Sequence, residues 1–163
     1  MMLKKILKKE NNNNLILISG DYNESLKLTN EIIEETQNLP ASGVKEDILL
    51  QSEINRILLL LILQPTPQQI TPSTAQILEK YAWVEAICDR EVIDLQTTLN
   101  NNGLSMLSEE LFLCLQSLVM ACQSNDSDSL ILLEDDLINY LNNEQKNLLR
   151  ILVKQMLERS KES

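Results

Sequence analysis

Apolar positions recur along this chain at spacings of three and four, the period of a helix buried on one side. Leu3, Ile6 and Leu7 predict one or two helical turns at the start. "LILIS" at 15–19 would pass for a strand. It has no second strand to pair with, so it reads as an apolar lead-in to the next helix. Asp21 with Glu24 three residues on has the form of a capping box. The helix behind it turns Leu26, Leu28, Ile32 and Ile33 inward and ends before Pro40. Ser42-Gly43 restarts the chain, and a helix is predicted from Val44 to Leu63. Its second half is apolar on every side, the mark of a helix surrounded by others. Pro65 stops it, and "QPTPQQITPST" reads as a linker. Thr71-Pro72 then supplies an N-cap with proline at the first helical position. A long amphipathic helix follows, carrying Ile77, Leu78, Tyr81, Val84, Ile87, Val92 and Leu99, with Gly103 of "NNNG" as its left-handed C-cap. Further helices are predicted from about Ser105 to Gln123, over 127–141 behind Asp126, and from "NNEQ" onward through Leu148, Leu152 and Met156.

The expected fold is therefore all-α, an antiparallel bundle of about six helices built from helical hairpins. The expected organisation is a basic, partly flexible segment at 1–20, a hairpin at 21–64, a proline-rich linker at 65–71, and a four-helix part at 72–163 packed with the hairpin.

One phrase occurs twice. "LISGDYNESLKLTNEIIEET" runs from Leu17 to Thr36, and "ACQSNDSDSLILLEDDLINYL" from Ala121 to Leu141. Each has a polar break with an Asp, then Ser-Leu-x-Leu; one copy needs a single-residue gap to align with the other. A capped restart followed by inward leucines is what any helical hairpin needs. Shared hairpin grammar therefore explains the repetition more simply than duplication does.

Composition sharpens this. Leu and Ile dominate a 44% hydrophobic share, aromatic residues are 3%, and there are three Gly and four Pro in 163 residues. That is too few turn and aromatic residues for a sandwich or barrel. There is no histidine, which removes the commonest general base and the usual zinc or iron ligand. Gly-rich phosphate loops and Gly-x-Ser-x-Gly are absent from the sequence too, so no catalytic residues, metal ligands or cofactor are expected. Cys88, Cys114 and Cys122 form no C-x-x-C pair and read as buried free thiols in a reducing, cytoplasmic setting. No signal peptide is read in "MMLKKILKKENNNN". The longest apolar run, seven residues from Ile57 to Leu63, falls short of the ~20 needed to span a bilayer.

The net charge of −10 is unevenly placed. Lys4, Lys5, Lys8 and Lys9 crowd the start. Ten acids and no base lie between Glu91 and Gln145, and Lys146, Arg150 and Lys154 open the last helix. The acidic middle would repel a phosphate backbone, which disfavours nucleic acid as a partner. Asp126, Asp128, Glu134, Asp135 and Asp136 lack the Gly and terminal Glu of an EF-hand. They read as caps and as acids facing the basic last helix.

The two phrases "ISGDYNESLKLTNEII" and "SNDSDSLILLEDDLINYL" resemble the helical hairpin of small bacterial flagellar export chaperones of the FliT and FlgN kind. They are also similar to uncharacterised helical proteins of Gram-positive bacteria. That resemblance implies capture of an amphipathic helix from a partner, and no individual residue carries over. The resulting expectation is a non-catalytic adaptor, chaperone or assembly factor with an apolar groove for a partner helix, with a homodimer also admitted. Leu58 and Leu61 on the all-apolar helix, with Tyr81 and Trp83, are the candidate partner-binding residues. Two alternatives remain: an acidic inhibitor or mimic that uses Glu134, Asp135 and Asp136, and a small carboxylate-dependent enzyme.

Overall fold

The computed structural model describes residues 2–64, 70–81 and 95–162. Among these lie eight α-helices, one 3-10 turn and no strand: α1 (Met2–Ser19), α2 (Tyr22–Thr36), α3 (Gly43–Leu63), α4 (Pro72–Glu79), α5 (Leu95–Asn101), α6 (Glu109–Gln123), α7 (Ser127–Leu137) and α8 (Asn143–Glu162), with the 3-10 turn at Ile138–Tyr140. The fold is all-α. The interior of the predicted 72–99 helix, with Trp83 and Cys88, lies outside the described residues, as does Pro65.

Local chemistry sets most of the helix starts. Asp21 accepts from the Glu24 amide at 3.2 Å, Ser42 from the Lys45 amide at 3.1 Å, and Asp126 from the Ser129 amide at 3.1 Å. Thr71 caps α4 just ahead of Pro72. Each cap satisfies a donor that the first helical turn leaves without a partner. The repeated phrase is thus two uses of one device. In both, the capping Asp follows a residue in the left-handed region, Gly20 at φ 86° and Asn125 at φ 58°. Gly103 at φ 71° ends α5 as expected, and the Leu104 amide reaches back to the Leu99 carbonyl at 2.8 Å.

Several boundaries differ from expectation. The helix that starts at Pro72 ends at Glu79, with Lys80 and Tyr81 in a turn, instead of running on toward Leu99. The helix behind Asp126 ends at Leu137 and tightens into the 3-10 turn, short of 141. The chain from Met2 to Ser19 is one helix of 18 residues, not one or two turns before an apolar lead-in. Its Asn tract favours helix weakly, and packing against α2 supplies what propensity does not. Asn13 is buried, its Nδ2 donates to Thr29 Oγ1 at 2.9 Å, and its Oδ1 accepts from Ser25 Oγ at 2.6 Å. Residues 104–107 form turns, and α6 begins at Glu109 because Ser108 accepts from the Leu111 amide at 3.1 Å. "NNEQ" is more than a break. The Gln145 amide donates to Asn142 Oδ1 at 2.9 Å while Gln145 Oε1 accepts from the Asn142 amide at 3.0 Å, a reciprocal capping box for α8.

Among the described helices α1 packs on α2, α2 on α3, α6 on α7 and α7 on α8, as hairpins. Lys9 bonds Glu35 while Asn13 meets Thr29 and Ser25, so α1 and α2 run in opposite directions. α2 returns on α3, and Lys45 Nζ donates to the Leu39 carbonyl at 2.9 Å across their link. Where the two sets of hairpins meet, α3 and α8 run in the same direction. Gln51 pairs with Gln145, and the Ile62 carbonyl accepts from Gln155 at 3.3 Å. The main core runs along this seam, joining Ile54–Ile62 of α3 to Tyr81, to Phe112, Leu115 and Leu118 of α6, and to Leu148, Leu152 and Met156 of α8. A smaller cluster of Ile6, Ile32 and Ile48 knits α1, α2 and α3.

Candidate functional site

Leu58, Leu59, Leu60 and Leu61 are all buried, none more than 3% exposed. The expectation that Leu58 and Leu61 meet a partner is therefore corrected: both are enclosed in the main core, which they share with residues of α6 and α8. Tyr81 is fully enclosed as well. Its ring stacks on Phe112 at 5.5 Å, and its hydroxyl donates to Glu53 Oε1 at 2.8 Å. Glu53, itself buried, also accepts from Arg56. Burial first, and then the Glu53 charge, push the Tyr81 hydroxyl well above its ordinary pKa. The three side chains form an interior polar clasp and offer a partner no surface. Trp83 lies outside the described residues.

The acids at 134–136 stand on the outer side of α7, with Asp135 and Asp136 exposed. The expected pairing with Lys146, Arg150 and Lys154 is absent among the described residues. The ion pairs there are Lys9 with Glu31 and Glu35, and Arg56 with Glu53. The Asp136 charge adds to the burial that raises the Cys114 thiol pKa.

A concave feature lies between α6 and α7. The groove is open, about 680 Å³ in volume, and lined by Ser117, Met120 and Ser124 from α6 and by Asp126, Ser129, Leu132 and Leu133 around the start of α7. Helical spacing of three and four puts Glu110, Leu113, Ser117, Met120 and Ser124 on one face. On α7, Ser129, Leu132 and Asp136 line up the same way. The apolar members are unusually bare: Leu132 is 71% exposed, Leu113 46% and Met120 42%. Glu110, Asp126, Asp128 and Asp136 are exposed around them. Arg159 of α8 influences Cys122, on the buried side of α6. The Ser129 hydroxyl and amide both donate to the Asp126 carboxylate and hold it below its ordinary pKa, so it is ionised at neutral pH.

The groove suits contact better than reaction. Burial pushes the Cys122 thiol from an ordinary value near 9 up to about 12 and also raises Cys114, so both resist forming the thiolate a nucleophile needs. Among the described residues, no three Cys, Asp or Glu side chains gather as a metal would require. No described helix is long and apolar enough to cross a membrane. Sequence reasoning missed this groove because "LFLCLQSLVM" is apolar on nearly every side. The available signal was the stripe of Leu113, Met120 and Leu132 set among acids.

The described helices are all α, and the α6–α7 hairpin leaves an open groove with exposed apolar residues. No family model matches the chain. The chain is 38% identical over 118 residues to the 40-kDa huntingtin-associated protein of Mus musculus and 37% identical over 118 residues to that of Rattus norvegicus. The similarity covers 72% of this chain and 28% of each relative, so the chain spans little more than a quarter of their length. It overturns the likeness to flagellar export chaperones and Gram-positive helical proteins. That likeness rested on an Asp cap followed by leucines, a device the structure shows to be generic hairpin chemistry.

Proposed function

We propose that this chain is a non-catalytic protein-interaction module whose α6–α7 groove receives a basic amphipathic helix of a partner protein. The observation that carries the reading is the groove's bare Met120 and Leu132, with exposed Leu113 two turns further along the same face of α6 and the exposed acids Glu110, Asp128 and Asp136 on the same two helices. Residues 91–145 contain no basic side chain to neutralise those acids. Apolar residues on an incoming helix would cover the stripe, and its flanking Lys or Arg would meet the acids, aiding encounter and register. The relatives' name describes proteins associated with huntingtin, which makes a huntingtin the first natural partner to test.

The run of acids also supports a second reading, an acidic mimic that holds a basic surface by charge alone. Fluorescence anisotropy with a designed Leu/Lys amphipathic helix separates the two. Groove binding predicts that Leu132→Asp abolishes capture although it adds negative charge, and that a Leu/Glu helix does not bind. Charge mimicry predicts that Leu132→Asp binds at least as well and that raised salt alone removes the interaction. If the Leu/Lys helix binds neither the wild type nor the variant, the groove reading fails.

A further inference from the structure

We infer that the α6–α7 groove of one copy of this chain receives the outer face of α1 of a second copy, joining copies head to tail. The inference rests on the groove being a binding site and names an occupant for it. Leu7, Asn11, Leu15 and Ile18 recur at spacings of four, four and three, so they share one face of α1. That face is bare, with Leu15 65% and Ile18 74% exposed. Lys4 and Lys8 flank it and are exposed, whereas Lys9 is held by Glu31 and Glu35 of its own chain. The outer face of α1 is thus a basic amphipathic helix surface, the chemistry the acidic groove calls for.

The dimensions agree. At 1.5 Å per residue, Leu7 to Ile18 spans roughly 16 Å, as does Leu113 to Ser124 along the α6 wall. Laying α1 parallel to α6 sets Leu7 near Leu113 and brings Leu15 and Ile18 to Met120 and Ser124. The same register places Lys4 and Lys8 beside Glu110 and Asp136 at the opposite end from Asp126. The two surfaces differ, so the contact is heterologous and builds chains or rings rather than a closed twofold dimer. One helix in a shallow groove buries less than the ~1,200 Å² of a typical stable interface. The association is accordingly weak and concentration-dependent. A partner helix that enters the groove displaces α1, so partner binding separates the copies.

Sedimentation equilibrium on the full chain tests this, with two charge-reversed variants at exposed positions, Lys4→Glu/Lys8→Glu and Glu110→Lys/Asp136→Lys, each checked for helix content by circular dichroism. The wild-type weight-average mass should rise with concentration. Each variant alone should associate about tenfold more weakly, because like charges then face each other. An equimolar mixture should restore association, because each reversed surface then meets its complement on the other variant. Ile18→Asp, which leaves Lys4, Lys8 and the groove intact, should also weaken self-association. The inference is overturned if the wild type stays monomeric at high concentration, if the variants associate like the wild type, or if mixing restores nothing. A monomeric wild type that still binds the Leu/Lys helix removes this inference alone and leaves the groove reading standing. Loss of both removes the groove itself.

Discussion

Tyr81→Phe probes the interior clasp with the least disturbance. It keeps the ring stacked on Phe112 and removes only the hydroxyl that donates to Glu53. The acceptor is a carboxylate whose side chain is 3% exposed, and a hydrogen bond to such a group contributes roughly 1.5–3 kcal/mol. For a chain of this size each kcal/mol corresponds to about 2–4 °C, so the melting temperature should fall by roughly 3–12 °C. Glu53→Gln should cost more, roughly 3–5 kcal/mol, because it leaves the Arg56 charge without its partner in a mostly buried place. Arg56 Nε is already buried without a hydrogen-bond partner, which limits the net contribution of the intact pair. Replacing both, as in Glu53→Gln/Arg56→Met, should therefore be less damaging than Glu53→Gln alone. Urea unfolding followed by circular dichroism gives each stability. The Tyr81→Phe and Glu53→Gln costs should combine to less than their sum, by about 0.5 kcal/mol or more, since the bond that Tyr81→Phe removes is already weakened when Gln makes its acceptor neutral. Strict additivity, or a Tyr81→Phe cost below about 0.5 kcal/mol, would refute the clasp.

Alkali gives a second test. The folded chain holds the Cys122 proton to about 12, whereas the unfolded chain releases it near 9. Stability should therefore be intact below pH 9 and fall as pH rises toward 12, with Tyr81 adding to the loss above its ordinary value of 10. Chemical denaturation from pH 8 upward should show the fall, and Cys122→Ala should flatten its first part; an unchanged slope contradicts it. Leu→Asp at each of 58, 59, 60 and 61 should unfold the isolated chain, because all four are enclosed; a folded variant by circular dichroism would show that α3 has an open side. Gln145→Ala should cost about 2 kcal/mol in urea unfolding, since it removes the α8 capping box and the contacts of Gln145 Nε2 with Gln51 and Asn55. A cost near zero would mean that α8 starts without it.

The starts of α2, α3, α4 and α7 were legible because a cap is a bond between residues three apart, written in adjacent letters. α1 was not, because its stability lies in contacts with α2. Counting Asn13 as an inward residue would have completed the pattern Ile6, Asn13, Leu17, but a buried Asn is acceptable only once Ser25 and Thr29 are known to meet it. The late start of α6 was missed because Met106 and Leu107 fit a helical period, and the Ser108 cap was overlooked among them. The all-apolar second half of α3 marked it as a surrounded helix, yet Leu58 and Leu61 were assigned to a partner, which their burial corrects; the bare side of α6 was not legible. Leu113 and Leu115 look alike in sequence, and only packing decides that Leu115 is core and Leu113 is exposed. The acids at 134–136 were read against α8 because charge in α8 recurs every four residues. Among the described residues no ion pair joins those acids to α8.

The most direct test of the groove is an amide chemical-shift titration of the full chain with the designed Leu/Lys amphipathic helix. Shifts should concentrate at Leu113, Ser117, Met120, Ser129, Leu132 and Asp136, leave Leu58, Leu61 and Tyr81 unmoved, and disappear in Leu132→Asp while that variant keeps its helical spectrum. Shifts scattered over the acids and indifferent to Leu132→Asp, or centred on any other face, would contradict the account.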